Sequence, residues 1–273
     1  MSDFDRNVAT AQYGRPLTRA EAAVVDAGLR AYMLRIYNYM VLGLAITGFA
    51  ALGAYMLSVT SDPAAAVRSA AGAATTLRPG SGMFLTPIGY ALFVSPLKWV
   101  IILAPLALVF FLSFRIENMR PATAQITFWI YAALVGISLG VLFLVYTHTS
   151  IVRVFFITAA SFGALSLWGY TTQRDLSGMG SFLIMGLFGV IIASLVNIFL
   201  ASNALQWAIS VIGVLVFAGL TAWDTQRLKS EYIYGAMEGD VLERSAIMGA
   251  LSLYLDFLNL FTFLLQLLGS RDE

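Results

Sequence analysis

The chain has no cysteine, which excludes disulfides, thiolate zinc sites and cysteine nucleophiles. Charge is the second scarcity. Only 11% of its 273 residues are Asp, Glu, Lys or Arg, against about 25% in a soluble domain. Lysine occurs only at Lys98 and Lys229, and histidine only at His148. The net charge of +1 leaves no basic face for nucleic acid. The opening MSDFDRNVATAQYGRPLTRAEAAVVDAGLR lacks the apolar run of roughly 7–15 residues that a signal peptide needs. It reads as a cytoplasmic tail over residues 1–30, with Arg19 to Arg35 either an amphipathic piece along the membrane surface or part of a disordered tail.

What remains is apolar. Hydrophobic residues make up 59% of the chain and the mean hydropathy is +0.82. The few charges cluster in the first 35 residues and in short breaks between apolar runs. Crossing a bilayer core of roughly 30 Å takes about 20 apolar residues in a helix, and seven segments qualify: Met33–Leu57, Pro96–Phe114, Ala124–Tyr146, Ile151–Tyr170, Gly180–Ala201, Leu205–Trp223 and Ala246–Leu268. The expected fold is all-α, a polytopic membrane protein with its seven-helix domain over residues 31–273. THTS and SNA separate two pairs of spans and predict tight hairpins. Pro87 and Pro96 argue against one continuous helix before the second span, and Pro105 should bend that span. Gly136 and Gly140 form a G-x-x-x-G close-packing face.

Orientation follows the basic residues. With the N-terminus inside, the inner segments hold Arg6, Arg15, Arg19, Arg30, Arg35, Arg115, Arg120, Arg174, Arg227, Lys229 and Arg244. The outer ones hold Arg68, Arg78 and Arg271. Seven spans then put the C-terminus outside. The rival is six spans, with the last segment dipping in and returning.

Two acids break the apolar pattern. Asp256, in LYLDFLNLF, lies about ten residues into the last span, roughly 15 Å deep and near the midplane. Asp224, in GLTAWDTQRLK, sits at the inner end of the sixth. The plain alternative for Asp224 is a surface pair with Arg227 three residues on. Ser252, Asp256 and Asn259 share a face that should turn inward rather than to lipid. Should the two carboxyl groups meet, they cannot both ionise easily and tend to share one proton. Such a pair is a proton switch or a cation site. Asn197 should make an interhelical hydrogen bond, and His148 reads as a solvated turn residue without partners for a metal.

The runs GYTTQRDLSGMGSFLIMGLFGVIIASLVNIFL, GVLVFAGLTAWDTQRLK and ALSLYLDFLNLFTFLLQLLGSR resemble the Bax inhibitor-1 family in its bacterial branch, as does SPLKWVIILAPLALVFFLSF. The likeness runs from about Leu29 to Arg271. It implies a seven-helix fold whose last helix is wrapped by the other six, and a pH-dependent Ca²⁺ leak governed by two aspartates that map onto Asp224 and Asp256. It also implies an arginine on the second helix that latches the closed state. Arg115 is the candidate by position, with Arg227 and Asn259 as supporting polar groups. The acid that some members carry in the second span has no counterpart between Pro96 and Phe114. Some bacterial members restrain a membrane-anchored ATP-dependent protease, and residues 1–30 could serve as the handle. The expected setting is the inner membrane, with lipid as surroundings and Ca²⁺ as permeant ion. No cofactor is implied, and the sequence sets no oligomeric state.

Other classes fit less well. A membrane aspartyl protease needs G-x-G-D, whereas Asp256 follows Leu253, Tyr254 and Leu255, and the sole Gly-Asp is Gly239–Asp240. A retinal protein needs a lysine in the last span, and there is none. A secondary transporter would show interrupted helices in matching halves. No nucleotide-binding or metalloprotease motif occurs, so the expectation is not an enzyme.

Overall fold

Backbone in hydrocarbon can satisfy its hydrogen bonds only as helices or closed barrels, and this chain takes the first course. A computed structural model describes residues 19–68, 83–235 and 239–271. Most of the tail over residues 1–30 and the middle of the long outer loop therefore lie outside the described residues. The helices are α1 (Arg19–Ser58), α2 (Pro87–Phe93), α3 (Leu97–Arg115), α4 (Pro121–Leu139), α5 (Leu142–Val145), α6 (His148–Thr171), α7 (Ser177–Leu200), α8 (Asn203–Gly235) and α9 (Gly239–Leu268). The short strands β1 (Val59–Thr60) and β2 (Phe84–Leu85) pair antiparallel. Among the described residues, seven helical segments are long and apolar enough to cross a membrane, and the all-α expectation holds.

Three boundaries differ from the apolar runs. α1 is one helix of 40 residues, so Arg19 to Arg35 is not a separate surface piece. Its Ala-rich start has high helix propensity and no proline, so nothing stops the helix between tail and span. The third span is interrupted: α4 ends at Leu139, and the Gly140 N–H is shared between the Gly136 and Ile137 carbonyls at 3.0 and 3.2 Å. α8 runs on to Gly235, a further 12 residues beyond the end of its apolar run at Trp223.

The large apolar residues reveal the solvent. Phe199 is 88% exposed, Phe114 79% and Phe49 77%. In water such surfaces would associate; against lipid they need no cover. Cohesion must then come from close packing and interhelical hydrogen bonds rather than from transfer out of water.

The chain divides into two compact units. The first combines the segment up to Met40 with Thr149–Gly269. Here α9 is the helix on which the others gather. Of its apolar window 44% is buried, more than in any other span. Gly249 of α9 abuts Leu228 of α8 and Ile36 of α1. Phe257 meets Phe155 and Phe162 of α6 edge to face at 5.6 and 5.5 Å, and Phe263 stacks on Phe217 of α8 at 5.9 Å.

The second unit combines Val41–His148 with the tail from Ser270. The C-terminal half of α1 packs on α4 through the G-x-x-x-G face. A side chain at Gly136 would run into the Thr47 carbonyl and Ala50, and one at Gly140 would press on Ala54. Thr47 bridges the two helices, its Oγ1 donating to the Gly43 and Ala132 carbonyls at 2.9 Å each. The two prolines of the outer loop start helices rather than interrupt one. Pro87 opens α2 behind the N-cap Thr86, whose Oγ1 accepts from the Gly89 N–H at 3.0 Å, and Pro96 caps α3. His148 begins α6, exposed but with its ring edge-on to Tyr55 and tilted against Phe143, at 5.2 and 5.5 Å.

Candidate functional site

α8 and α9 lie side by side, and their contacts run in reverse order. Leu228 meets Gly249, Arg227 meets Ser252, and Gly213 meets Phe263. This antiparallel register sets the two acids, Asp224 and Asp256, next to each other. Both are buried, with 6% and 4% of their surface exposed. Ionised carboxylates can only accept hydrogen bonds, so a bond between the two would need a proton on one of them. Asp256 Oδ2 is buried without a hydrogen-bond partner.

A cation contacts Asp224. Arg227 Nη2 lies 3.0 Å from Asp224 Oδ1, and the same nitrogen donates to Ser252 Oγ on α9 at 3.3 Å. Arg227 Nε is 3.5 Å from Glu231, and the guanidinium sits 5.1 Å from the centre of the Trp223 ring. Its side chain is 38% exposed. Arg227 thus sits at the rim, with Asp224 behind it and Asp256 deeper. The polar stripe on α9 divides. Ser252 joins the site, whereas Asn259 turns back on its own helix, donating to the Leu255 carbonyl at 2.8 Å. Arg115 is exposed at the end of α3, in the second unit.

The residues after Asp224 explain why its surroundings are fixed. Thr225 Oγ1 is 2.9 Å from Ser166 Oγ of α6. Gln226 donates to the Arg174 carbonyl and accepts from the Leu176 N–H, both at 2.8 Å. Lys229, only 5% exposed, donates to the Tyr170 carbonyl at 3.1 Å and lies 5.3 Å from that ring's centre. Gly169 of α6 meets the Ala222 backbone so closely that no side chain would fit. The polar string D-T-Q-x-x-K therefore fastens α8 to α6 and to the turn before α7. Sequence reading counted Lys229 merely as an inner charge. Its burial follows from the extension of α8 past the apolar run, for which the signal was an unbroken helical sequence without Gly or Pro from Thr221 to Tyr234.

A second polar cluster holds the opposite ends of these helices. Asn197 donates to Gln206 at 3.0 Å and accepts from the Ser202 N–H at 3.0 Å. Gln206 and Ser210 of α8 donate to Gln266 of α9 at 2.7 and 2.8 Å. The expected interhelical bond of Asn197 is present, and Gln206 and Gln266 extend it.

Chemically, the site offers two carboxyl groups, one hydroxyl and one guanidinium. Among the described residues no group of three or more His, Asp or Glu side chains is placed to hold a metal. Outside the spans, the exposed Asp175 accepts from the Ser177 N–H at 2.9 Å, and its bonds to Ser177 hold its carboxyl below the usual carboxylate range.

The family model described as "Inhibitor of apoptosis-promoting Bax1" matches residues 29–273. A protein of Rickettsia prowazekii is 47% identical over 94% of this chain and 96% of its own length. One of Caulobacter vibrioides is 42% identical over the whole of both chains. The inner membrane protein YbhL of Escherichia coli is 43% identical over 90% of this chain and 94% of its own. With that match over nearly its whole described length, and with seven helices fit to span a bilayer, the chain belongs to the Bax inhibitor-1 family of membrane proteins.

Proposed function

We propose that this protein is a pH-sensitive cation leak of the inner membrane, with Ca²⁺ as the permeant ion and the Asp224–Asp256 pair as its gate. The observation that carries the reading is the pair of buried acids set side by side on adjacent helices. At low pH the shared proton joins α8 to α9 and the path is closed. Loss of that proton removes a bond worth about 1.5–3 kcal/mol. It also sets two negative charges side by side, a repulsion of about 4 kcal/mol at 4 Å and an effective dielectric of 20. The combined swing, roughly 5–7 kcal/mol before the offset from Arg227, matches the ~5.5 kcal/mol that turns a 1:99 equilibrium into 99:1.

Arg227, its guanidinium 3.0 Å from Asp224, offsets part of that repulsion. A permeating Ca²⁺ would meet at most four carboxylate oxygens, fewer than the 6–8 ligands it prefers, so the pair is a stepping point with water completing the shell. Asp256 follows Leu253, Tyr254 and Leu255 rather than the G-x-G of a membrane aspartyl protease, which supports a gate over a protease centre. YbhL is named an inner membrane protein. That name and the surplus of basic residues in the assigned inner segments support an inner-membrane protein with its N-terminus inside, its C-terminus outside, and residues 31–273 as the membrane domain. Ca²⁺ flux into proteoliposomes between pH 6 and 8 tests the reading, with Asp256→Asn as the comparison. Equal pH profiles for the two proteins would remove it.

A second reading is a non-conducting modulator of a membrane-anchored ATP-dependent protease. It draws on the length of α1, whose 40 residues extend about 60 Å, twice the hydrocarbon core. The surplus turns can stand outside the bilayer as a handle. Co-purification of the protease with the full chain, lost on deleting residues 1–30, would favour it.

A further inference from the structure

Between the N-terminal half of α1 and α6, in the first unit, lies a groove of about 610 Å³. It is lined by residues from Arg30 to Met40 on α1 and from Phe162 to Tyr170 on α6. Leu34 and Leu167 on its walls are 54% and 63% exposed, so it opens sideways to the surrounding lipid. Its floor asks for nothing polar. Tyr37 OH and Ser166 Oγ are hydrogen-bonded to each other, and Ser166 also reaches Thr225 at 2.9 Å. Arg30, at the N-terminal end, is the one charged residue of the lining. The ten-residue step from Arg30 to Met40 corresponds to about 15 Å along α1, half the hydrocarbon core and so the depth of one leaflet.

We propose that this groove binds one anionic phospholipid, with an acyl chain along the α1–α6 seam and the phosphate on Arg30. A guanidinium binds phosphate through paired N–H donors, and an apolar trough of one-leaflet length ending in such a group matches a lipid better than a soluble ligand. The site is independent of whether ions flow.

Gly163 supplies the blocking variant, because a side chain added there meets nothing within 4 Å and points into open space. Gly189 of α7 is equally open and serves as control. The experiment is native mass spectrometry of the detergent-purified full chain with added phosphatidylglycerol or phosphatidylcholine of matched acyl chains. Wild type should retain one phosphatidylglycerol per chain, at least fivefold more than phosphatidylcholine. Gly163→Leu should lower that retention at least fivefold, and Gly189→Leu should leave it unchanged. Leu34→Trp, at an exposed wall position, is a second blocking variant should the first not fold. Arg30→Gln should keep an adduct but lose the preference for the anionic lipid. Equal retention by wild type and the blocking variants, equal loss in Gly189→Leu, or no preference between the two lipids would each overturn the site.

Discussion

Replacing Asp256 by asparagine changes the proposed gate in one respect only. Asparagine keeps the volume, and its Nδ2–H can donate to Asp224 as the protonated acid does. What disappears is the titration. In wild type a one-proton switch can change the ratio of open to closed by at most tenfold per pH unit, hence up to about a hundredfold between pH 6 and 8. Asp256→Asn retains a hydrogen bond to a charged acceptor, worth about 1.5–3 kcal/mol, at every pH in that range. Its Ca²⁺ flux should therefore stay within about twofold from pH 6 to 8, near the wild-type level at pH 6. The assay is dye-reported Ca²⁺ entry into proteoliposomes whose internal and external pH are matched, so that no proton gradient contributes. Asp256→Ala is the counter-test. It removes the donor, leaves buried Asp224 short of a partner at a cost of about 1–3 kcal/mol, and should leak at pH 6. A wild-type slope in Asp256→Asn would refute the reasoning.

Other expectations follow from the packing and the turns. Gly169→Leu would drive a side chain into the Ala222 backbone; overpacking of about 1–3 kcal/mol or more should appear as a lower thermal midpoint in detergent. Gln266→Leu takes the acceptor from Gln206 and Ser210, and a double-mutant cycle with Gln206→Leu should give a coupling of about 0.6 kcal/mol, the average for membrane interiors. Asp175 is held below the usual carboxylate range by Ser177. A depressed value stabilises the fold above the unfolded value and is lost as pH falls through the folded one. The stability difference between wild type and Asp175→Asn should accordingly be constant from pH 6 to 8 and fade only below about pH 4. A difference that changes between pH 6 and 8 would contradict that assignment and would make Asp175 a rival source of the flux profile.

Legibility in the sequence followed the strength of the physical constraint. Seven spans could be read because lipid tolerates little but apolar helix there, and the G-x-x-x-G face of α4 because only glycine admits the Thr47 carbonyl. The two acids stood out because charge is expensive at that depth. Their contact was not readable: it depends on the antiparallel register of α8 and α9, which Leu228, Gly249, Gly213 and Phe263 set through packing. Lys229 misled because a basic residue past an apolar run resembles a loop anchor, whereas the helix continues and a carbonyl on α6 receives it. Asn259 shares a face with Asp256 by spacing, yet the Leu255 carbonyl four residues back is a nearer partner. The break at Gly140 was hidden because Val141 to Val145 remain apolar.

The most direct measurement is infrared difference spectroscopy of the carboxylic-acid stretch in reconstituted protein, for wild type, Asp224→Asn and Asp256→Asn. With one hydrogen ion held jointly by positions 224 and 256, the expected result is a single acid band that titrates in wild type and is abolished or displaced by either substitution. Two bands that titrate separately, each removed by only one substitution, or a band indifferent to both, would contradict it.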